Sequence, residues 1–128
     1  MDDANVPSLL SMPYLGYCKK EDTLYQHTRS FILSHHNPYY YQGTCASGIG
    51  SPHTSKNYIW HIALSMQGLT GTKEEAKKMV NLILETSNNE GLCHEGFNKD
   101  EPSEYTRFWF AWANSLFAEL VYQTYFVK

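Results

Sequence analysis

Five stretches of the chain place apolar residues at helical spacing, and their character alternates. The first covers residues 6 to about 17, with Pro7 at its start, where a missing N–H costs nothing, and Pro13 inside it, which should kink or end it. The second, about residues 22–33, mixes Leu24, Phe31 and Ile32 with Gln26, His27 and Arg29. The third, residues 58–69, sets Ile59, Ile62, Ala63 and Met66 on one face and carries no formal charge, which predicts burial nearly all round. The fourth opens with Thr72-Lys73-Glu74-Glu75, a capping box in which the hydroxyl and the carboxylate each satisfy a free N–H. Its stripe of Ala76, Met79, Val80 and Ile83 lies opposite Lys73, Lys77 and Lys78, so one face should be solvated. The last, about residues 107–125, runs through Trp109, Trp112, Ala113, Leu116 and Leu120 with few charges and should again be buried. Irregular stretches separate these elements at residues 35–57 and 87–106, and no strand alternation exceeds the short run Tyr39-Tyr40-Tyr41. The alternation predicts antiparallel helical hairpins with one helix of each pair inside and one outside. The predicted class is all-α.

Composition narrows the function classes. At 128 residues the chain has the length of one domain, and its 42% apolar and 18% charged residues are those of a globular protein. A net charge of −3 gives no basic surplus for nucleic acid or an anionic membrane surface. No uncharged apolar run approaches the roughly 18 residues of a membrane span. The start, Met1-Asp2-Asp3, carries acids where a secretory signal would carry basic residues. Cys18, Cys45 and Cys93 are an odd number without a Cys-x-x-Cys pair, which argues against a disulfide scaffold or structural zinc. Aromatic residues reach 15%, with ten tyrosines and three tryptophans, more ring surface than a core this small requires.

Three polar segments stand immediately before the three most apolar stretches. They are Asp2-Asp3-Ala4-Asn5, then Gly48-Ile49-Gly50-Ser51-Pro52-His53-Thr54, then His94-Glu95-Gly96-Phe97 with the run up to Thr106-Arg107. Helix N-termini offer free N–H groups and a positive dipole end, which suit hydroxyls and anions. If the apolar helices are parallel, these segments gather at one end, walled by Trp60, Trp109 and Trp112, as a site for a polar, ring-shaped ligand. Caps and turns alone would produce the same segments. Trp109 and Trp112 share a face, which suits core packing as well as ligand stacking. Cys93-His94-Glu95 has no second ligand pair at helical spacing, so no metal is expected. No local feature supports a Cys–His nucleophile, and Gly48-x-Gly50 lacks the strand–helix setting of a nucleotide loop and reads as a turn.

Asp2-Asp3-Ala4-Asn5-Val6-Pro7-Ser8-Leu9-Leu10, the Gly48–Thr54 segment quoted above, Tyr58-Ile59-Trp60 and Phe110-Ala111-Trp112-Ala113-Asn114-Ser115 together resemble glycoside hydrolase family 125. The resemblance runs in order along essentially the whole chain. It implies an exo-acting, inverting, metal-independent α-1,6-mannosidase without a cofactor, built as an (α/α)6 barrel. It also implies that residues 1–128 are the C-terminal part of that catalytic domain. About half of an α/α toroid of alternating inner and outer helices is then expected, three inner and two outer. The family usually has Ser and His where this chain has Gly96 and Asn98, and Pro where it has His61 and Phe108.

The resemblance places the general base on Glu95 and the general acid upstream of the first residue. It makes Asp2, Asp3, Asn5, His53, Trp60, His94, Arg107 and Trp109 the substrate-binding set. In that set Asp2 and Asp3 accept from sugar hydroxyls and His53 donates to one. Arg107 either holds the segment carrying Glu95 or pairs with a loop carboxylate such as Glu104 or Glu101. The implied partner is a mannose-containing oligosaccharide or glycan. The alternative is a catalytically dead helical module that keeps carbohydrate binding or an interaction role. Uncovered inner helices would each leave large side chains without roughly 1.5–3 kcal/mol of burial, which predicts self-association.

Overall fold

The computed structural model describes residues 1–128. In chain order its elements are α1 (Thr23–Ile32), β1 (Tyr40–Gln42), β2 (Ser47–Ile49), β3 (Tyr58–Trp60), α2 (His61–Thr70), α3 (Lys73–Thr86), β4 (Gly96–Asn98), β5 (Tyr105–Thr106) and α4 (Ala111–Tyr125). Asp22 caps α1 by accepting from the N–H groups of Leu24 and Tyr25. Thr72 caps α3, its hydroxyl accepting from the Glu75 N–H at 3.2 Å. The return half of the expected capping box is not made. The Glu75 carboxylate turns instead to the Arg29 guanidinium at 2.9 Å and the Gln67 amide at 3.0 Å, tying α1 and α2 to the start of α3.

The all-α expectation, and with it the half-toroid of inner and outer helices, is overturned. Four helices are joined by two small antiparallel sheets, β1-β2 and β3-β4-β5, so the fold is mixed α/β. Each strand is only two or three residues long, too short to show a period of two in the sequence. Tyr58-Ile59-Trp60 has strand-forming side chains, but Gly96-Phe97-Asn98 is extended because it pairs with β3 on one side and β5 on the other. The first stretch, residues 6–17, forms successive turns instead of a helix. Asp2 takes the Leu9 and Leu10 N–H groups, and the hydroxyls of Ser8 and Ser11 take one another's backbone donors, a local alternative to helical bonding.

Helix α2 lies at the centre. Its last turn meets the start of α3 through Gln67–Glu75 and its first residue meets the end of α3 through His61–Thr86, so those two helices are antiparallel. Helix α4 runs parallel to α2. The Trp60 and Phe110 rings face edge-on at 6.1 Å where both helices begin, and Gly68 sits against Leu120 further along. A Cβ at Gly68 would come within 2.7 Å of Leu120 and 3.2 Å of Met79, so three helices close on that glycine. The burial expected for α2 is found, but that expected for the last stretch is only half met. In α4 the inward side chains Ala113, Leu120 and Thr124 are buried, while Trp112, Tyr122 and Tyr125 are exposed. No helix is long and apolar enough to cross a membrane.

Candidate active site

The sheet β3-β4-β5 brings the third polar segment against the start of α2. Its register pairs Trp60 with Gly96 and Gly96 with Thr106, so Glu95 and Arg107 lie side by side at the ends of adjacent strands. The Glu95 N–H donates to the Thr106 carbonyl at 3.1 Å, and the Gly96 N–H donates to the Thr106 hydroxyl at 3.0 Å. A Cβ at Gly96 would lie 3.2 Å from the Trp60 ring, so the strands approach closely there. Arg107 then adopts φ 53°, a left-handed conformation that costs a non-glycine residue about 1 kcal/mol or more. The turn aims its Nε at Glu95 Oε2, 3.3 Å away, with the guanidinium 5.8 Å from the centre of the Phe110 ring. Of the two expected partners for Arg107, the carboxylate it meets is Glu95. Glu104 accepts from Asn98, and Glu101 accepts from Ser103.

Glu95 is anchored through one oxygen only. Its side chain keeps 16% exposure, and Oε1 bonds to no protein group and is not among the buried atoms. Asp2 is its opposite. Both Asp2 oxygens are taken by the backbone of Leu9 and Leu10, the residue is buried, and burial raises its carboxyl above the usual range. Asp3, half-buried, accepts from the Asn5 N–H at 2.8 Å through Oδ1, which closes a tight turn.

The first two polar segments meet through the backbone. The Ala4 N–H donates to the Gly50 carbonyl, and the Gly50 N–H donates to Tyr39. Any Cβ at Gly50 would collide with the Tyr58 carbonyl, so this glycine serves a crossing of three segments and not the turn expected of it. The Thr54 hydroxyl accepts from Trp60 Nε1 at 2.9 Å, and His53, exposed, stands with its ring centre 6.5 Å from Trp60. Trp60 itself is only 3% exposed and is core rather than a wall of the site. Trp109, at 60% exposure, stands free beside Arg107 and Phe108. The largest groove, between the β1-β2 hairpin and α3, holds none of these residues.

His94 is placed differently from a sugar ligand: it is fully buried. Its Nδ1 donates to the Phe108 carbonyl at 2.9 Å, and its ring stacks on Tyr105 at 3.8 Å, nearly parallel. Its N–H donates to His61 Nδ1 at 2.9 Å, and His61 Nε2 meets the Thr86 hydroxyl at 2.9 Å. Burial, with His94 alongside, pushes His61 down to about 3. Cys93 is also buried, which pushes its thiol up to about 12, so it offers no thiolate to a histidine. No three His, Cys, Asp or Glu side chains are grouped as metal ligands.

The sequence profile of the metal-independent alpha-mannosidases, GH125, matches residues 1–122. The chain belongs to that family. A solved structure of a metal-independent alpha mannosidase from Streptococcus pneumoniae, in a non-productive complex with alpha-1,6-mannobiose, superposes with a TM-score of 0.95 at 54% identity. That match covers 97% of this chain and 29% of the other. The meiotically up-regulated gene 157 protein of Schizosaccharomyces pombe is 46% identical over 123 residues, which is 94% of this chain and 24% of that protein. The chain therefore spans about a quarter of the length of these relatives.

Within this GH125 chain, several contacts that shape the site escape sequence reasoning. The hydroxyl of Thr106, the carbonyl of Phe108 and the imidazole of His61 all act on the segment around Glu95. Two of the three contacts use a backbone atom of Phe108 or His94, which no side-chain motif encodes. His61 stood out only as a departure from the proline usual at its position.

Proposed function

We propose that this chain carries the general-base side of an inverting α-1,6-mannosidase site, with Glu95 as the base. The observation that carries the reading is the half-anchored carboxylate: Arg107 fixes Oε2, and Oε1 remains free to take a proton from water. An inverting glycosidase sets such a base about 6.5–9.5 Å from a carboxylic acid that protonates the leaving oxygen. Asp2 cannot be that acid, because its oxygens are committed to backbone donors. The acid comes from the remainder of a family-length chain, residues 1–128 being a partial catalytic domain. The relatives, about three to four times as long, support this. Asp3, Asn5, His53 and Trp109 contribute sugar contacts, Arg107 holds the base, and the substrate is a mannose-terminated glycan. The chemistry needs no metal, in line with the family description.

The test is reconstitution. Alone, the chain should bind mannose at millimolar strength or not at all and should leave α-1,6-mannobiose intact. Co-expressed with the remaining part of a family-length enzyme, it should release mannose with inverted anomeric configuration. Glu95→Gln should then lower turnover by about 10²–10⁴-fold without loss of folding. Turnover by the isolated chain that ignores Glu95→Gln would overturn the assignment. Sugar binding without turnover after reconstitution would favour the catalytically dead module.

In isolation the outward face of α4 pairs with a second copy of the chain. Ala111, Ser115, Ala118, Tyr122 and Tyr125 recur at alternating spacings of four and three, all exposed and all uncharged. Small residues in the middle of the stripe let two such helices approach closely, as in a self-complementary two-fold contact.

A further inference from the structure

The glycosidase reading leaves the two buried histidines without a task, since neither imidazole reaches solvent. We propose that His94 is a positioning residue for Glu95. Its imidazole clamps the residue before Glu95 to the residue after Arg107, and His61 holds the backbone from which that clamp springs. The inference rests on the reading of Glu95 as the base and adds what keeps that base in place.

The connectivity carries the argument. Glu95 and Arg107 are joined on one side by the ladder of Glu95 and Gly96 to Thr106. Beyond Arg107 the left-handed turn takes the chain away from β4. The first bond that returns it is from His94 Nδ1 to the Phe108 carbonyl. The Phe110 N–H to the Cys93 carbonyl follows two residues later. The Arg107–Glu95 contact is thus bracketed by the Thr106 ladder and the His94 side chain. Without the second bracket, the nearest tie beyond Arg107 is the Phe110–Cys93 bond three residues on, which leaves Arg107 room to relax its unfavourable φ.

The proton positions agree. A carbonyl only accepts, so His94 Nδ1 carries the hydrogen and Nε2 is left bare, buried and without a partner. A phenylalanine would fill the same space beneath Tyr105 without stranding a nitrogen. The imidazole is therefore of use here only at Nδ1. His61 is equally constrained. Thr86 gives its own hydroxyl proton to the Leu82 carbonyl at 2.7 Å, so it accepts from His61 Nε2–H, which leaves the Nδ1 lone pair for the His94 N–H.

The Arg107 Nε–H resonance of the 128-residue chain, read by ¹⁵N NMR, reports the clamp, with Glu95→Ala marking the unpaired position. In His94→Asn the amide nitrogen replaces Nδ1 and Arg107 should keep its wild-type resonance. In His94→Gln the amide lies where Nε2 was and the resonance should move to that of Glu95→Ala. A role in packing alone would make the two variants behave alike, and that result overturns the proposal. So does a wild-type resonance in His94→Gln. Should either variant fail to fold, His61→Asn and His61→Gln make the same comparison. The asparagine oxygen still accepts the His94 N–H and should retain the resonance, whereas the glutamine should lose it. No sugar enters this measurement, so it decides the clamp whether or not the turnover experiment upholds Glu95 as the base.

Discussion

Helices α2 and α4 run parallel, begin without a capping side chain and carry between them one formal charge, Glu119, yet α2 buries eight of its ten residues and α4 three of its fifteen. Both look like helices apolar all round. For α2 the surroundings complete that pattern, with α3 and α4 beside it and β2 and β3 near its start. For α4 they do not, since its packing partners α2 and α3 cover one side and Trp112 and Tyr122 stand in solvent at 62% and 58% exposure. An apolar sequence therefore states how much cover a helix needs, and the neighbours decide how much it receives. The difference also bears on the site. The dry end of α2 holds the histidines behind Glu95, while the wet end of α4 presents Trp109 and Arg107.

The largest effect should come from the inward faces, where the two helices ought to behave alike. Leu64 and Leu120 are both fully buried, so Leu64→Ala and Leu120→Ala should each cost about 2–5 kcal/mol in urea unfolding. A Leu120→Ala cost near zero would show that even the inward face of α4 is loosely held.

The dry start of α2 should appear as a pH dependence that the start of α4 lacks. Folded His61 stays neutral down to about 3, whereas the unfolded ring takes up a proton near 6.5. Its contribution is therefore present above pH 6.5 and is lost as pH falls from 6.5 towards 3. By pH 4.5 the loss should be about 2–3 kcal/mol, and His61→Asn should remove most of that difference between pH 7 and pH 4.5. An unchanged slope in the variant would mean that water reaches this end of α2.

A smaller effect is expected where the helices touch. Gly68→Val would press a branched side chain onto Leu120 and Met79 and should cost about 1–3 kcal/mol in thermal unfolding. A neutral result would separate α4 from α2 at that level. The smallest stability effect belongs to the outward face of α4. Tyr122→Ser with Tyr125→Ser should change folding stability by no more than about 0.5 kcal/mol each while shifting sedimentation towards monomer. A wild-type chain that sediments as a clean monomer would remove the self-association proposal.

Helices α1, α2, α3 and α4 were legible because each is ten or more residues long and carries helically spaced apolar residues, with the Thr72 cap signal marking the start of α3. The strands were not, because two or three residues cannot display a period. The turns of residues 6–17 were missed because the Asp2 carboxylate reaches forward seven and eight residues to claim backbone donors, which propensity does not register. At the site, Glu95 and Arg107 were both legible, and their pairing settled an alternative that the sequence left open. His94 and Trp60 were singled out as ligand contacts, but the structure buries both.

By itself the sequence determined the family, the places of four helices, and Glu95 and Arg107 as candidate residues without their pairing, since each depends on residue identity and local spacing. Tertiary structure alone decided which apolar helix is covered, that Asp2 serves the backbone, and that His61 and His94 stand behind Glu95. Burial, strand pairing and a proton's position on an imidazole are properties of what lies opposite a residue in space, and that is supplied by segments tens of positions away in the chain.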